Sequence, residues 1–131
     1  MTTGLLIISH DTIGNALVDT ASFTLGMCPM VLELLSVSPG CKPEELHDKA
    51  LAAVRRLDDG AGVLVLTDMF GSTPSNIANR LCAEANVEVV AGLNLPMLIR
   101  VFNYPGLTLS ELAEKAVSGG RDGVFACEGR C

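Results

Sequence analysis

Val63-Leu64-Val65-Leu66-Thr67-Asp68-Met69-Phe70-Gly71-Ser72-Thr73-Pro74-Ser75-Asn76 is the stretch on which the fold turns. Its first four residues form an unbroken aliphatic run, the pattern of a strand buried on both faces. The run ends in an acid, passes through a loop of small residues and enters a helix. Thr73 suits the N-cap, and Pro74 suits the first helical position, where a missing N–H costs nothing. A helix that opens this way leaves backbone N–H groups free, and the small loop lets an anion approach them.

Outward from this stretch, strands and helices alternate. A first strand, about Gly4 to Ser9, carries Leu5-Leu6-Ile7-Ile8 and ends in Ser9-His10. Ile13, Ala16, Leu17, Thr20, Ala21 and Leu25 then recur at helical spacing over about Thr12 to Leu25, and Gly26 suits the C-terminal cap. A second strand covers about Met30 to Val37. After the Pro39-Gly40 turn, Pro43-Glu44-Glu45 opens a helix with acids in its first turn, and Arg55-Arg56 closes it near Leu57. The central helix is expected from about Pro74 to Ala85, and a fourth strand from Val87 to Ala91. Asn94-Leu95-Pro96 leads into a short helix, about Met97 to Phe102. Thr108-Leu109-Ser110-Glu111 has capping-box spacing for a last helix ending near Ser118. Gly119-Gly120 is taken as a separator before a final short strand, about Gly123 to Cys127.

Strands rich in valine, leucine and isoleucine between helices indicate a parallel sheet with helices on both faces. Right-handed crossovers leave few topologies. The expected architecture is a three-layer, doubly wound α/β fold with the flavodoxin-like parallel order 2-1-3-4, in one domain spanning residues 1–131. Open sheets of this kind bind ligands beyond the carboxyl ends of the strands, where the winding reverses. That point falls between strands one and three, so His10 and Asp68 are expected to meet there.

Composition narrows the function. Hydrophobic residues make up 49% of the 131 residues and mean hydropathy is +0.42, which describes a chain able to bury a core. Aromatics are 4% with no tryptophan, which leaves no stacking platform for single-stranded nucleic acid. A net charge of -6 argues further against nucleic acid and anionic membranes. No apolar stretch approaches a membrane span, and no basic segment precedes an apolar run at the start, so neither insertion nor a signal peptide is expected. Five cysteines without a Cys-x-x-Cys pair favour free thiols in a reducing cytoplasm over disulfides or zinc. Neither a metal nor a cofactor is called for.

An imidazole beside a carboxylate at an anion-binding helix start suits phosphoryl transfer. A carboxylate that accepts from Nδ1–H fixes the tautomer and leaves Nε2 as a nucleophile. His10 and Asp68 are therefore the candidate catalytic residues, with Ser72, Thr73 and Ser75 as candidate phosphate-binding residues. Transfer of this kind needs positioning and charge stabilisation more than covalent machinery. Elsewhere, His47 lies among Glu44, Glu45, Asp48 and Lys49 and is assigned to a solvated face. Asp58-Asp59 is assigned to a polar helix end and Arg100 to a surface ion pair.

These residues also carry a resemblance. Ile8-Ser9-His10, the Thr67-to-Asn76 segment and Val89-Val90-Ala91-Gly92-Leu93-Asn94-Leu95-Pro96-Met97-Leu98 resemble, in order and spacing, the IIA component of the mannose/fructose/sorbose family of the phosphoenolpyruvate-dependent sugar phosphotransferase system. The resemblance implies a cytoplasmic phosphocarrier. It would take a phosphoryl group from phospho-HPr on His10, beside Asp68, and pass it to a separate IIB protein associated with membrane IIC and IID components. It also implies a homodimer in which the C-terminal strand pairs with the neighbouring subunit's sheet. Two positions depart from the family pattern: Asp11 stands where relatives often have glycine, and Ser72 where many do. Asp11 or Thr12 is expected to cap the following helix, with Asp11 turned away from the phosphoryl group.

The same site would equally serve a regulatory module whose His10 phosphorylation controls a partner without sugar transport. A donor subunit of a dihydroxyacetone kinase shares the fold family but fits these segments less well. A receiver domain phosphorylated on Asp68 would need a lysine at the end of a fifth strand, where this chain has Cys127-Glu128-Gly129. A flavin site is disfavoured by the scarcity of aromatics.

Overall fold

The computed structural model describes residues 1–129. In chain order it contains β1 (Gly4–His10), α1 (Ile13–Leu25), β2 (Leu32–Val37), α2 (Pro43–Leu57), β3 (Val63–Thr67), α3 (Thr73–Leu81), β4 (Val87–Ala91), α4 (Leu95–Phe102) and α5 (Leu109–Asp122). The four strands form one parallel sheet in the order β2-β1-β3-β4, the topology the sequence predicts.

The unbroken aliphatic runs have the reason given for them. Along β1 and β3, Leu5, Ile7, Leu64 and Leu66 face the core built with α1, α4 and α5. Leu6, Ile8, Val63 and Val65 face the opposite way, into the core under α2 and α3. The period of two is hidden in the sequence because both faces are apolar. The register pairs Ile8 of β1 with Thr67 of β3, so His10 and Asp68 leave the sheet side by side at its carboxyl end.

Local signals explain most boundaries. Gly26 ends α1 in the left-handed conformation, φ 80°, with its N–H on the Phe23 carbonyl. Thr108 and Glu111 form the reciprocal capping box of α5. The Asp58 carboxylate accepts from the Gly60 and Gly62 amides and so closes the turn after α2. Arg100 pairs with Asp122 at 2.7 Å, an exposed ion pair between α4 and α5.

Four expectations are corrected. Residues 123–129 form no strand, and α5 continues through Gly119 and Gly120 to Asp122. Both glycines are buried against α4: a Cβ at Gly119 would lie 2.7 Å from the Arg100 Cβ, and one at Gly120 2.8 Å from the Met97 Cε. They serve close helix approach, not chain reversal. His47 is buried, not solvated: α2 turns Leu46, His47, Ala50, Ala53, Val54 and Leu57 inward, and helical phase overrides the charged sequence neighbours. The α3 cap is Ser72, which places Thr73 and Pro74 in the first turn, and the regular helix ends at Leu81 instead of Ala85. Finally, Thr12 occupies the α1 cap position without a side-chain bond, and Asp11 caps nothing.

Candidate active site at the β1 and β3 termini

His10 closes β1 and Asp68 follows β3. The structure brings them together: His10 Nδ1 lies 2.8 Å from Asp68 Oδ2, and the same oxygen accepts the His10 backbone N–H at 2.9 Å. The other carboxylate oxygen accepts the Met69 N–H at 2.9 Å. The carboxylate is therefore held from both sides, with its side chain only 11% exposed while that of His10 is 42% exposed. Burial alone pushes the Asp68 carboxyl up. The His10 backbone amide and ring, helped by the Met69 amide, outweigh it and hold the group below its ordinary value. An ionised carboxylate can only accept, so Nδ1 carries the proton, and in the neutral form of the ring the lone pair is the one on Nε2.

Ser9 and Asp11, on either side of the histidine, shape its backbone. Ser9 Oγ accepts the Gly14 amide at 3.0 Å, performing from five residues upstream the work of the missing cap. A Cβ at Gly14 would lie 2.8 Å from that oxygen and 2.9 Å from an Ile7 methyl, so only glycine lets α1 start this close to β1. Asp11 has φ 41°, the sole positive value for a non-glycine residue among the described residues, and its N–H is tied to the Val37 carbonyl at 2.9 Å. Aspartate tolerates this conformation better than most residues with a Cβ.

The loop after Asp68 is a tight turn with Gly71 at φ 85°. The Ser72 hydroxyl donates to the Met69 carbonyl, and the Gly71 amide donates to Ser75 Oγ at 3.2 Å. Of the three candidate hydroxyls, Ser75 is buried and Ser72 partly buried, both engaged within the loop; Thr73 is exposed. The Thr73 and Ser75 amides have no hydrogen-bond partner among the described residues, as expected at the start of a helix. These unpartnered amides lie at the helix start that follows Asp68, the partner of His10, in the loop.

Sequence reasoning missed Ser9, whose role needs the path of α1, and the exposure of Met69 and Phe70, at 58% and 80%. It also missed an open groove of about 810 Å³ along the outer edge of β4, walled by Val87, Val89, Ala113, Val117 and Arg121. No helix among the described residues is long and apolar enough to cross a membrane.

Comparison with known proteins agrees with this geometry. Residues 4–117 match the family described as the PTS system fructose IIA component, EIIA-man. The mannose-specific EIIAB component of Escherichia coli K12 is 34% identical over 133 aligned positions, which take in 99% of this chain and 41% of that protein. This chain therefore spans less than half the length of that relative. The sorbose-specific EIIA component of Lacticaseibacillus casei is 27% identical over 82% of this chain and 78% of its own length. Among solved structures, the mannose/sorbose-specific IIA subunit from Enterococcus faecalis superposes with a TM-score of 0.87 at 25% identity, covering 99% of this chain and 98% of its own. With its parallel 2-1-3-4 sheet, a histidine–carboxylate pair at the switch point and a family match over most of its length, this chain belongs to the mannose-type IIA family of the sugar phosphotransferase system.

Proposed function

We propose that the chain is a phosphohistidine carrier that takes a phosphoryl group from phospho-HPr on His10 Nε2 and hands it to a IIB protein working with membrane IIC and IID components. The observation that carries this reading is the 2.8 Å contact between His10 Nδ1 and Asp68 Oδ2. In transfer, the Nε2 lone pair forms the new P–N bond as the phosphorus–donor bond breaks, and no proton need leave the ring. Positive charge develops on the imidazole while Nδ1 keeps its hydrogen bond, and the fixed carboxylate stabilises that charge. Passing the group on reverses the step: the P–N bond breaks as the acceptor's bond forms. Ser72, Thr73 and Ser75 receive the phosphoryl oxygens, Ser75 through its amide because its side chain is buried.

The chain acts in the cytoplasm as a homodimer in this reading. Val124 and Phe125 are 74% exposed on a segment outside the sheet, and β4 has an open edge with a groove of mixed polarity beside it, features that suit pairing of the C-terminal segment with a second copy.

Incubation with enzyme I, HPr and labelled phosphoenolpyruvate is expected to give an acid-labile, alkali-stable adduct that a His10→Ala variant does not form. Equal labelling of the variant refutes the assignment.

A further inference from the structure

A carrier must hold its phosphoryl group and also give it up, so fixed charge near His10 Nε2 bears on how tightly the group sits. Transfer breaks the bond between phosphorus and the donor and forms the one to Nε2, which brings roughly two negative charges to this end of the sheet. Asp11 is joined to His10 by a single peptide bond, so its carboxylate stays within about 12 Å of Nε2 in any rotamer. The residue is exposed, and its carboxylate has no hydrogen-bond or ion-pair partner among the described residues. The local duty that would occupy it, capping α1, is met by Ser9 Oγ on the Gly14 amide. Its backbone is pinned as well, with φ at 41° and the N–H on the Val37 carbonyl at 2.9 Å. Asp68, the other carboxylate here, is buried and already engaged with the ring and two amides. No lysine or arginine among the described residues pairs with either acid.

We propose that the unpaired Asp11 carboxylate raises the transfer potential of the phosphorylated chain: it repels the phosphoryl oxygens carried on His10 and biases the group toward the next acceptor. The inference rests on the phosphocarrier reading, and it concerns the free chain rather than its contact with another protein. In the reading above, the Thr73 and Ser75 amides attract the same oxygens, and Asp11 offsets part of that hold. Like charges at this range in water repel weakly, and salt screens them over a Debye length of about 10 Å at 0.1 M. The result is a shifted equilibrium and not a blocked site.

The test adds sub-stoichiometric phosphoenolpyruvate to dilute mixtures of the full chain, HPr and catalytic enzyme I. The final partition of phosphate between HPr and the chain is read by intact-mass spectrometry at alkaline pH. A change in how the two proteins meet alters the time taken to reach that partition and leaves its value alone, because only the free end states set it. Asp11→Asn keeps a residue that tolerates positive φ and removes the charge. It is expected to shift the partition about fivefold toward the chain at low salt, and less than about twofold in 1 M salt. Asp11→Gly, which takes positive φ without strain, is expected to give the same shift. Glu84→Gln removes one charge beyond the far end of α3, past about 13 Å of helix, and leaves the partition at the parental value. Low-salt partitions of both Asp11 variants within about twofold of the parent overturn the inference while the carrier reading stands. So does a shift that persists undiminished at high salt, or one confined to Asp11→Gly, since either marks a backbone effect. Absence of any adduct on His10 of the parent overturns the carrier reading and this inference with it.

Discussion

His10 and His47 each set a ring nitrogen against a carboxylate, at 2.8 Å from Asp68 and 3.1 Å from Glu84, yet the two pairs are built inside out. At the sheet terminus the carboxylate is buried and the imidazole half exposed, so the acid is the fixed member of the pair. Between α2 and the turn after α3 the imidazole is buried, its carboxylate is 42% exposed, and its Nδ1 is enclosed without a partner among the described residues. A histidine–carboxylate contact is therefore not in itself a reactive centre. The two differ in which member is held: a buried carboxylate can preorganise a ring left half exposed, whereas a half-exposed carboxylate against a buried ring leaves no ring nitrogen open to a reactant.

The largest test of this contrast exchanges the two rings for alanine. His10→Ala abolishes the adduct while leaving the thermal midpoint close to that of the parent, because the lost side chain is half exposed. His47→Ala keeps full labelling and lowers unfolding stability by about 2 kcal/mol, through the cavity left under α2, as read by urea titration. Loss of labelling in His47→Ala would erase the distinction.

Next in size is Asp68→Asn, which removes the charge and can turn a donor toward Nδ1. The rate of adduct formation falls about a hundredfold in single-turnover mixing, with the fold retained. The same substitution flattens the acid limb of the stability curve. Asp68 sits below its ordinary pKa in the folded protein, so on acidification the unfolded chain takes up its proton first. Its contribution is fully present above about pH 4 and is lost as pH falls through the lower folded value. Denaturant titrations between neutral pH and pH 3 should therefore show a shallower acid loss in Asp68→Asn than in the parent. The smallest effect belongs to Glu84→Gln: its exposed carboxylate contributes about 0.5 kcal/mol, with labelling unaffected.

The same contrast separates what was legible in the sequence from what was not. Strands β1 and β3 announce themselves because aliphatic runs with no alternation fit a sheet covered on both faces, and the switch-point rule then places His10 beside Asp68. His47 was illegible locally: its neighbours are charged, and only the phase of α2, set by Leu46, Ala50 and Leu57, turns it inward. Gly119-Gly120 misleads for a related reason. Paired glycines end helices or let them touch, and the choice depends on Arg100 and Met97 of α4, distant in sequence. Ser9 stands in for a cap because of where α1 starts. Met69 and Phe70 invert the usual default that large apolar residues go inside. In each case the deciding partner is tertiary.

The central claim is that one of two histidine–carboxylate pairs carries a phosphoryl group. Fragment-ion mass spectrometry of the chain after incubation with phospho-HPr, under alkaline conditions that preserve phosphohistidine, tests it most directly. The account predicts a single phosphate on His10 and none on His47 or Asp68; phosphate on either of those, with His10 unmodified, contradicts it.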